Sequence, residues 1–567
     1  MSSTAVGSFA LVLHAHQPFV LGHGRWPHGS DWLCEAVVQS YLPLLRTLRA
    51  LSERGVSPRV TLSFSPVLCE QLASPLLQKE LQNFLNARLH ACADTGQYFR
   101  DLNQDELAAR TEYWARFYHD TLDLLHALDG NLLGAFRRLM EQGHIELITC
   151  AATHGYLPLL GCDESVGLQL RLAVLTHEAY FGRRPRGVWL PECAYRPRYY
   201  WIPPVGPHRQ QHRALRRGIE EFLAECGLEF FFADSQPVLG GRPLPPYDDY
   251  FPQLASLREA GRAEWPIRAG TSPYEIYRVS SRGGTGEATV FIRDPESALQ
   301  VWSREHGYPG DPWYLEFHKK HLPGGLTLWR VSENKGDLGA KAVYVPERAQ
   351  ERAREHARHF AATVAGTLHR HQAQGGAPGL VCALYDAELL GHWWYEGPQW
   401  LGFLYPELAR QQVEIVNCPA YLDPHPAGKT LTLPEGSWGE GGDHRTWLND
   451  DTAWTWERLY DSEVEFWTLV RDNPQAAQSL VGRVLCQAGR ELLLMQASDW
   501  QFLITSWAAR DYAEQRFIAH YSDFKRLLEI AHHVRERGQL EQDEWIYLAS
   551  KEQQDSLFPT LERVLFA

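Results

Sequence analysis

Two carboxylates stand in settings that ordinary surface acids do not occupy. Glu192 follows the apolar run Val188-Trp189-Leu190 and Pro191, within the stretch GVWLPECAYRP from Gly187 to Pro197. Asp386 follows a second apolar run, Leu380 to Tyr385, and opens the segment Asp386-Ala-Glu-Leu-Leu-Gly-His-Trp-Trp394. Short apolar runs of this kind read as buried strands. Pro191 cannot extend a ladder, so Glu192 is delivered where its strand leaves the sheet. In parallel barrels that exit face carries the reacting groups. A pair of such acids suits cleavage of a glycosidic bond, where one protonates the leaving oxygen and the other attacks or activates water. Each acid also has a bland reading, as a helix cap or as half of an ion pair with a neighbour such as Arg196 or Arg198. Their common setting among His and Trp favours chemistry.

Histidines recur at the same kind of place. His14 and His16 follow Phe9 to Leu13 in HAHQP, and His154 follows Ile145 to Thr149. His-x-His on a strand puts both rings on one face. One reading is a metal pair; the other is hydrogen bonding of neutral imidazoles to a substrate. No HExxH follows to complete a metal site, so no metal and no cofactor are expected. The chain also holds 20 tryptophans. Many lie in polar, Gly-rich loops, where burial explains them poorly and where flat faces suit the C–H faces of sugars.

These residues need a scaffold that brings distant strand exits together. Strands are expected at Phe9–Leu13, Arg59–Phe64, Ile145–Thr149, Val188–Leu190, Glu229–Asp234, Thr289–Asp294 and Leu380–Tyr385, with helical periodicity between several of them. Helices are expected at Asp105–Arg116, Thr121–Met140, Glu164–Phe181, His212–Glu225 and Glu351–His371, and Gly182 is placed to end one of them. The alternation predicts parallel β/α units. The helical stretch near residues 65–142 reads equally as crossover helices or as an insertion. A stretch from Ser235 to Ser272, rich in Gly, Pro and Tyr, has the length of a lid or binding loop. After the Trp-bearing connection Leu431–Trp456, helices run from Glu457 onward. The outline is a barrel-like α/β domain to about residue 420 and an α-helical domain over 421–567.

Composition narrows the partners. A net charge of −14 argues against nucleic acid. The Arg-rich stretch Arg209–Arg217 reads as a solvated helix face, not a phosphate-binding patch. The first residues form neither a signal peptide nor a membrane span. Ten cysteines without a CxxC pair suit a reducing compartment, so a cytoplasmic protein that binds no membrane is expected, with the monomer as the assumed state.

At this point the chain resembles glycoside hydrolase family 57. Five motifs carry the likeness, in order: His14-Ala-His-Gln-Pro18, His154-Gly-Tyr-Leu-Pro158, Trp189-Leu-Pro-Glu192, Asp386 to Trp394, and Ser498-Asp-Trp-Gln-Phe502. Within the family, the chain length, the GHWWYEGP extension and the C-terminal helices look like the 1,4-α-glucan (glycogen) branching enzymes. The resemblance implies an α/β fold, an incomplete parallel (β/α)7 barrel with inserted segments (about 65–142 and 193–226, with the 235–272 loop), followed by an α-helical C-terminal domain. It implies Glu192 as nucleophile and Asp386 as general acid/base of a retaining double displacement, with carboxyls about 5–5.5 Å apart. Glu388 and Glu396 are the alternatives for the acid/base.

The same resemblance implies that His14, His16, His154 and His392 hold the sugar. Trp26, Trp302, Trp438 and Trp447 would shape subsites, and Asp499 and Trp500 would reach over the cleft from the helical domain. Trp500 has a second reading as packing between domains. The substrate implied is an α-1,4-glucan. A branching enzyme must keep water from its intermediate, and the Ser235–Ser272 loop, with Tyr247, Tyr250 and Tyr274 in or beside it, is the expected cover. Rival readings are an α-amylase or 4-α-glucanotransferase on the same scaffold, a catalytically silent glucan-binding subunit, and a metal-dependent deacetylase.

Overall fold

A computed structural model of the chain describes residues 5–207, 213–240, 251–254, 257, 265, 268–333 and 336–566. Seven strands build a parallel ring: β1 (Gly7–Ala15), β2 (Val60–Phe64), β3 (Ile145–Cys150), β4 (Val188–Trp189), β5 (Phe230–Ala233), β6 (Ala288–Ile292) and β7 (Leu380–Asp386). Strand β1, GSFALVLHA, is buried along its whole length, as a strand covered on both faces must be. The order β7-β1-β2-β3-β4 forms one sheet. The parallel pair β5-β6 joins it through a single bridge on each side, Gly187 to Phe230 and Arg293 to Cys382. Every expected barrel strand is present, shifted by one or two residues at its ends.

Register positions the chemistry. His14 on β1 lies level with Asp386 on β7 and with Ser63 on β2. Strand β3 meets β4 through Thr149–Val188 and Cys150–Trp189, so the segments carrying His154 and Glu192 leave the sheet side by side.

The segments between strands do two jobs. Leu132–Glu141 packs on β3, whereas Pro75–Asp101 and Asp105–Ala127 pack on each other as an inserted pair. Asp163–Phe181 ends at Gly182, whose φ of 77° is the left-handed conformation that lets the chain turn away. Pro346–Ala373 covers β1 and β7.

Two expectations around residue 215 need correction. The helix there is only Ile219–Glu225, because Ala214–Arg216 pairs antiparallel with Tyr199–Trp201 and Gly218 caps the helix after it. Arg216 is not on a solvated face: it is buried, with its Nε 2.5 Å from Asp163 and its guanidinium over the Trp201 ring.

The C-terminal helices include Ala453–Asp472, Leu480–Met495, Ser498–Ser506, Arg510–Arg537 and Gln542–Gln554. Buried polar groups bind them to the barrel. Gln169 Nε2 donates to Gln496 Oε1 at 3.0 Å, Gln496 Nε2 donates to Glu463 Oε1 at 2.9 Å, and Glu463 Oε2 accepts from the Gly161 N–H at 2.6 Å. Gly155 and Ala497 form a backbone bridge, and the Ser498 N–H donates to the His154 carbonyl at 3.0 Å. The start of helix Ser498–Ser506 is thus fixed against the exit of β3. No helix among the described residues is long and apolar enough to cross a membrane. All ten cysteines are free thiols, and nine are buried.

Candidate active site

Glu192 leaves β4 in the left-handed region, at φ 60° and ψ 25°, and Cys193 and His154 share that region at φ 49° and 59°. Non-glycine residues held there cost energy and concentrate at functional sites. The turn at Glu192 follows directly from Pro191 and carries its carboxylate into the barrel mouth. Trp438 Nε1 donates to Oε2 at 2.8 Å, and the Ser498 hydroxyl donates to Oε1 at 3.2 Å. Burial pushes this carboxyl up to about 7, against the hydrogen bonds from Trp438 and Ser498 that hold it down.

His14, His16 and His154 form a stack beside it. The rings of His16 and His154 lie 3.9 Å apart, and His14 lies flat against Trp189 at 4.8 Å. His14 joins Ser63 Oγ through Nδ1 at 3.1 Å and His154 through Nε2 at 3.0 Å. His154 Nδ1 meets Ser498 Oγ at 2.8 Å. His16 joins Ser65 Oγ at 2.8 Å and Asp499 Oδ2 at 2.9 Å. Every ring nitrogen of the three therefore has a protein partner. All three imidazoles line the cleft and are oriented by one another, by Ser63, Ser65 and Ser498, and by Asp499. Burial lowers His14 and His154 well below the ordinary imidazole value, which keeps both neutral.

Spacing along the chain conceals one group of possible metal ligands. Ligand atoms of His16, His154 and Asp499 lie within 4.8 Å of one another, supplied by residues far apart in sequence. In the structure those atoms are engaged in the hydrogen bonds just described.

Asp386 ends β7 with part of its surface in the cleft. Burial, and then the charges of Glu388, Glu192 and Asp499, raise it well above the ordinary aspartate range. Its carboxylate accepts no hydrogen bond among the described residues. Glu388 Oε1, by contrast, accepts from the His16 N–H at 3.0 Å and from the Tyr41 hydroxyl. Glu396 is fully buried away from the cleft, accepting from the Leu315 N–H at 3.1 Å and Tyr344 at 2.7 Å.

One cleft of about 1110 Å3 receives both acids, the three histidines, Asp499, Trp26, Trp302, Trp438 and His392. Trp302 and Trp438 meet edge to face at 5.7 Å and form its floor next to Glu192. Trp26 stands at the rim, 80% exposed. His392 is held by Gln39 at 2.7 Å, and burial lowers it to about 4. Two expected subsite residues do not reach the cleft. Trp447 is fully buried, stacked on Tyr156 at 4.6 Å, and Trp500 is fully buried with its Nε1 donating to Leu494 O at 2.7 Å. Both stand in a Trp-rich, polar stretch of sequence, and such a context does not separate a loop face from a core position.

The cleft also contains residues that the sequence does not single out. It runs on past Phe84 and Arg88 of the inserted helix pair and past Phe317, which stacks on Trp393 at 5.1 Å. From the expected cover loop, Phe251 enters the cleft and meets Phe502 at 5.3 Å. Tyr247 and Tyr250 lie outside the described residues. Tyr274 is not at the loop tip: its carbonyl accepts from the Leu380 N–H, at the opposite end of β7 from Asp386.

The sequence of residues 10–434 matches the model for glycosyl hydrolase family 57. The chain belongs to that family. Residues 458–566 match a second model, described as the C-terminal region of 1,4-alpha-glucan branching enzymes. Within family 57, the chain is 39% identical over 525 residues to a 1,4-alpha-glucan branching enzyme of Thermococcus kodakarensis, covering 92% of this chain and 73% of that one. The crystal structure of that enzyme superimposes with a TM-score of 0.88 at 36% identity, covering 99% and 97% of the two chains. A branching enzyme of the same family from Pyrococcus horikoshii gives 0.87 at 38%, with the same coverage. An alpha-amylase from Thermotoga maritima gives 0.80 at 26%, covering 99% of each chain.

Proposed function

We infer that the chain is a 1,4-α-glucan branching enzyme that cleaves an α-1,4 linkage and transfers the released segment to a 6-hydroxyl of an acceptor glucan. The observation that carries this reading is the joining of the two parts: the helical region that matches the branching-enzyme model supplies Asp499 to the cleft that holds Glu192 and Asp386, and Ser498 to the carboxylate of Glu192. The amylase-like structure shares the scaffold and supports hydrolysis as the second reading.

The roles follow from the chemistry of each setting. Glu192, fixed by Trp438 and Ser498, attacks the anomeric carbon as nucleophile. Asp386 gives its proton to the departing glycosidic oxygen, forming a glycosyl ester on Glu192. The resulting Asp386 carboxylate then takes the proton of the incoming 6-hydroxyl, whose oxygen displaces Glu192 with net retention. Three settings support this division. Asp386 is raised towards the protonated form a general acid needs. Glu388 is occupied by His16 and Tyr41, and Glu396 is sealed in the core. Trp302 and Trp438 wall the cleft beside Glu192, and the exposed ring of Trp26 at the rim offers a flat face to a glucosyl ring. Phe251, which lines the cleft, is the described part of the expected cover, and residues 1–420 act as the catalytic barrel of a monomer.

Amylose incubated with the protein tests this directly. Falling iodine stain with few new reducing ends, followed by release of short chains by a debranching enzyme, is the expected result. Reducing ends rising in step with lost stain would make the protein a hydrolase. Removing the tip of the 235–272 loop should raise hydrolysis relative to branching; an unchanged ratio would show that the loop is not the cover.

A further inference from the structure

A chain of side chains leads from β2, through two imidazoles, to the nucleophile. Thr149 O accepts from Ser63 Oγ at 3.2 Å, and Ser63 Oγ meets His14 Nδ1 at 3.1 Å. His14 and His154 share a contact between their Nε2 atoms at 3.0 Å. His154 Nδ1 meets Ser498 Oγ at 2.8 Å, and Ser498 reaches Glu192 Oε1 at 3.2 Å. Ser63, His14, His154, Ser498 and Glu192 are all buried. At the one link between two imidazoles, a neutral pair can place only a single hydrogen.

That restriction leaves two proton orders. When Glu192 is ionised, Ser498 donates to it, His154 donates to Ser498 through Nδ1–H, His14 donates to His154 through Nε2–H, and Ser63 donates to His14. When Glu192 carries a proton, every donor turns round. Glu192 donates to Ser498, Ser498 to His154 Nδ1, His154 Nε2–H to His14, His14 Nδ1–H to Ser63, and Ser63 to Thr149 O. The second order holds one proton more than the first, and both leave each imidazole neutral. Burial holds His14 and His154 in that neutral form.

We propose that Ser498 is a positioning residue that ties the proton state of Glu192 to the tautomers of His154 and His14, so that the helical region sets the nucleophile of the barrel. The proposal rests on the reading of Glu192 as nucleophile. Ser498 is held in place by three constraints, namely its N–H on the His154 carbonyl, the Gly155–Ala497 bridge before it, and its hydroxyl between imidazole and carboxylate. Asp499, Asp386 and His16 also face Glu192 and act on its carboxyl, whereas the Ser498 hydroxyl passes on the direction of the chain.

Two measurements test it. In Ser498→Ala the acid limb of kcat/KM on amylose should move to higher pH by about one unit, the size of a lost hydrogen bond to a charged group. Activity should recover above that limb. In the unaltered protein, 15N NMR of the histidine rings should show His154 with its proton on Nδ1 above the limb and on Nε2 below it. The His154→Gln variant assigns the signals. An acid limb that stays in place while activity falls equally at all pH values would make Ser498 a packing residue and overturn the proposal. A single His154 tautomer across the limb would overturn it without any variant of Ser498. Glu192→Gln separates the two levels. If it remains active, the nucleophile reading itself fails; if it is inactive while the limb of Ser498→Ala is unmoved, only the positioning role fails.

Discussion

Two buried clusters in this molecule contain the same residue types and lead different lives. In the barrel mouth, Glu192 and Asp499 lie among His14, His16 and His154. Within the helical region, Glu491, His520 and Asp555 converge, with ligand atoms within 4.8 Å of one another. Burial raises Glu491 and lowers His520 just as it raises Glu192 and lowers His14. Perturbed acid–base behaviour therefore does not tell the two apart. Their closure does. His520 is held between Glu491 at 2.7 Å and the Arg516 guanidinium at 2.9 Å, His23 caps Asp555 at 2.6 Å, and all three central residues have no exposed surface. At the barrel mouth, Glu192 is met by a neutral indole N–H and a hydroxyl, and the group opens into a large cleft. A cluster built for chemistry keeps a face open to the substrate.

Variants of the acids should break the comparison most sharply. Glu192→Gln and Asp386→Asn should each lower kcat by roughly 10^4-fold or more with the fold intact by circular dichroism, as loss of a reacting group does. Glu491→Ala should instead leave kcat of the folded protein within about twofold, while denaturation shows a loss of about 3 kcal/mol, the scale for stranding a buried polar partner. A large loss of kcat in folded Glu491→Ala would erase the distinction.

The pH dependence sharpens it further. Glu192, held at about 7, must be ionised, so activity should fall as pH drops through an acid limb near that value. Asp386, raised well above its ordinary range, must be protonated, which places the other limb on the alkaline side. The apparent values belong to the interacting pair, and a pH–rate profile reads them directly. Glu491→Gln should leave both limbs in place. The smallest effects separate the tryptophans. Trp302→Ala should raise KM about tenfold, a loss of stacking worth about 1.4 kcal/mol. Trp447→Phe should leave KM unchanged and appear only in thermal unfolding.

Much of this arrangement is legible in the sequence, for a physical reason. Parallel strands buried on both faces are uninterrupted apolar runs, so the polar residue ending each run marks the barrel mouth. His14, His154, Glu192 and Asp386 all stand out in that way. The serines do not, because Ser63, Ser65 and Ser498 acquire meaning only from partners brought close by folding, and serine is common everywhere. Trp447 shows the opposite failure: a tryptophan among polar neighbours reads as exposed, whereas stacking on Tyr156 buries it, and of the two readings of Trp500 the packing one matches its burial. Arg216 fails similarly, since it sits on a short strand whose partner Asp163 opens a helix far away in sequence. The aromatic run past Phe84 and Phe317 escapes because neither stretch carries a polar strand exit to mark it.

Chain order also sets a timetable. Both acids precede Trp438 and Ser498 in the sequence, yet Glu192 takes its two described side-chain donors from those later residues. During synthesis, the barrel strands can assemble while the nucleophile still lacks the groups that aim it. A polypeptide interrupted before helix Ser498–Ser506 would carry both reacting carboxylates but neither Ser498 nor Asp499, so the site is completed only after the barrel strands have been made.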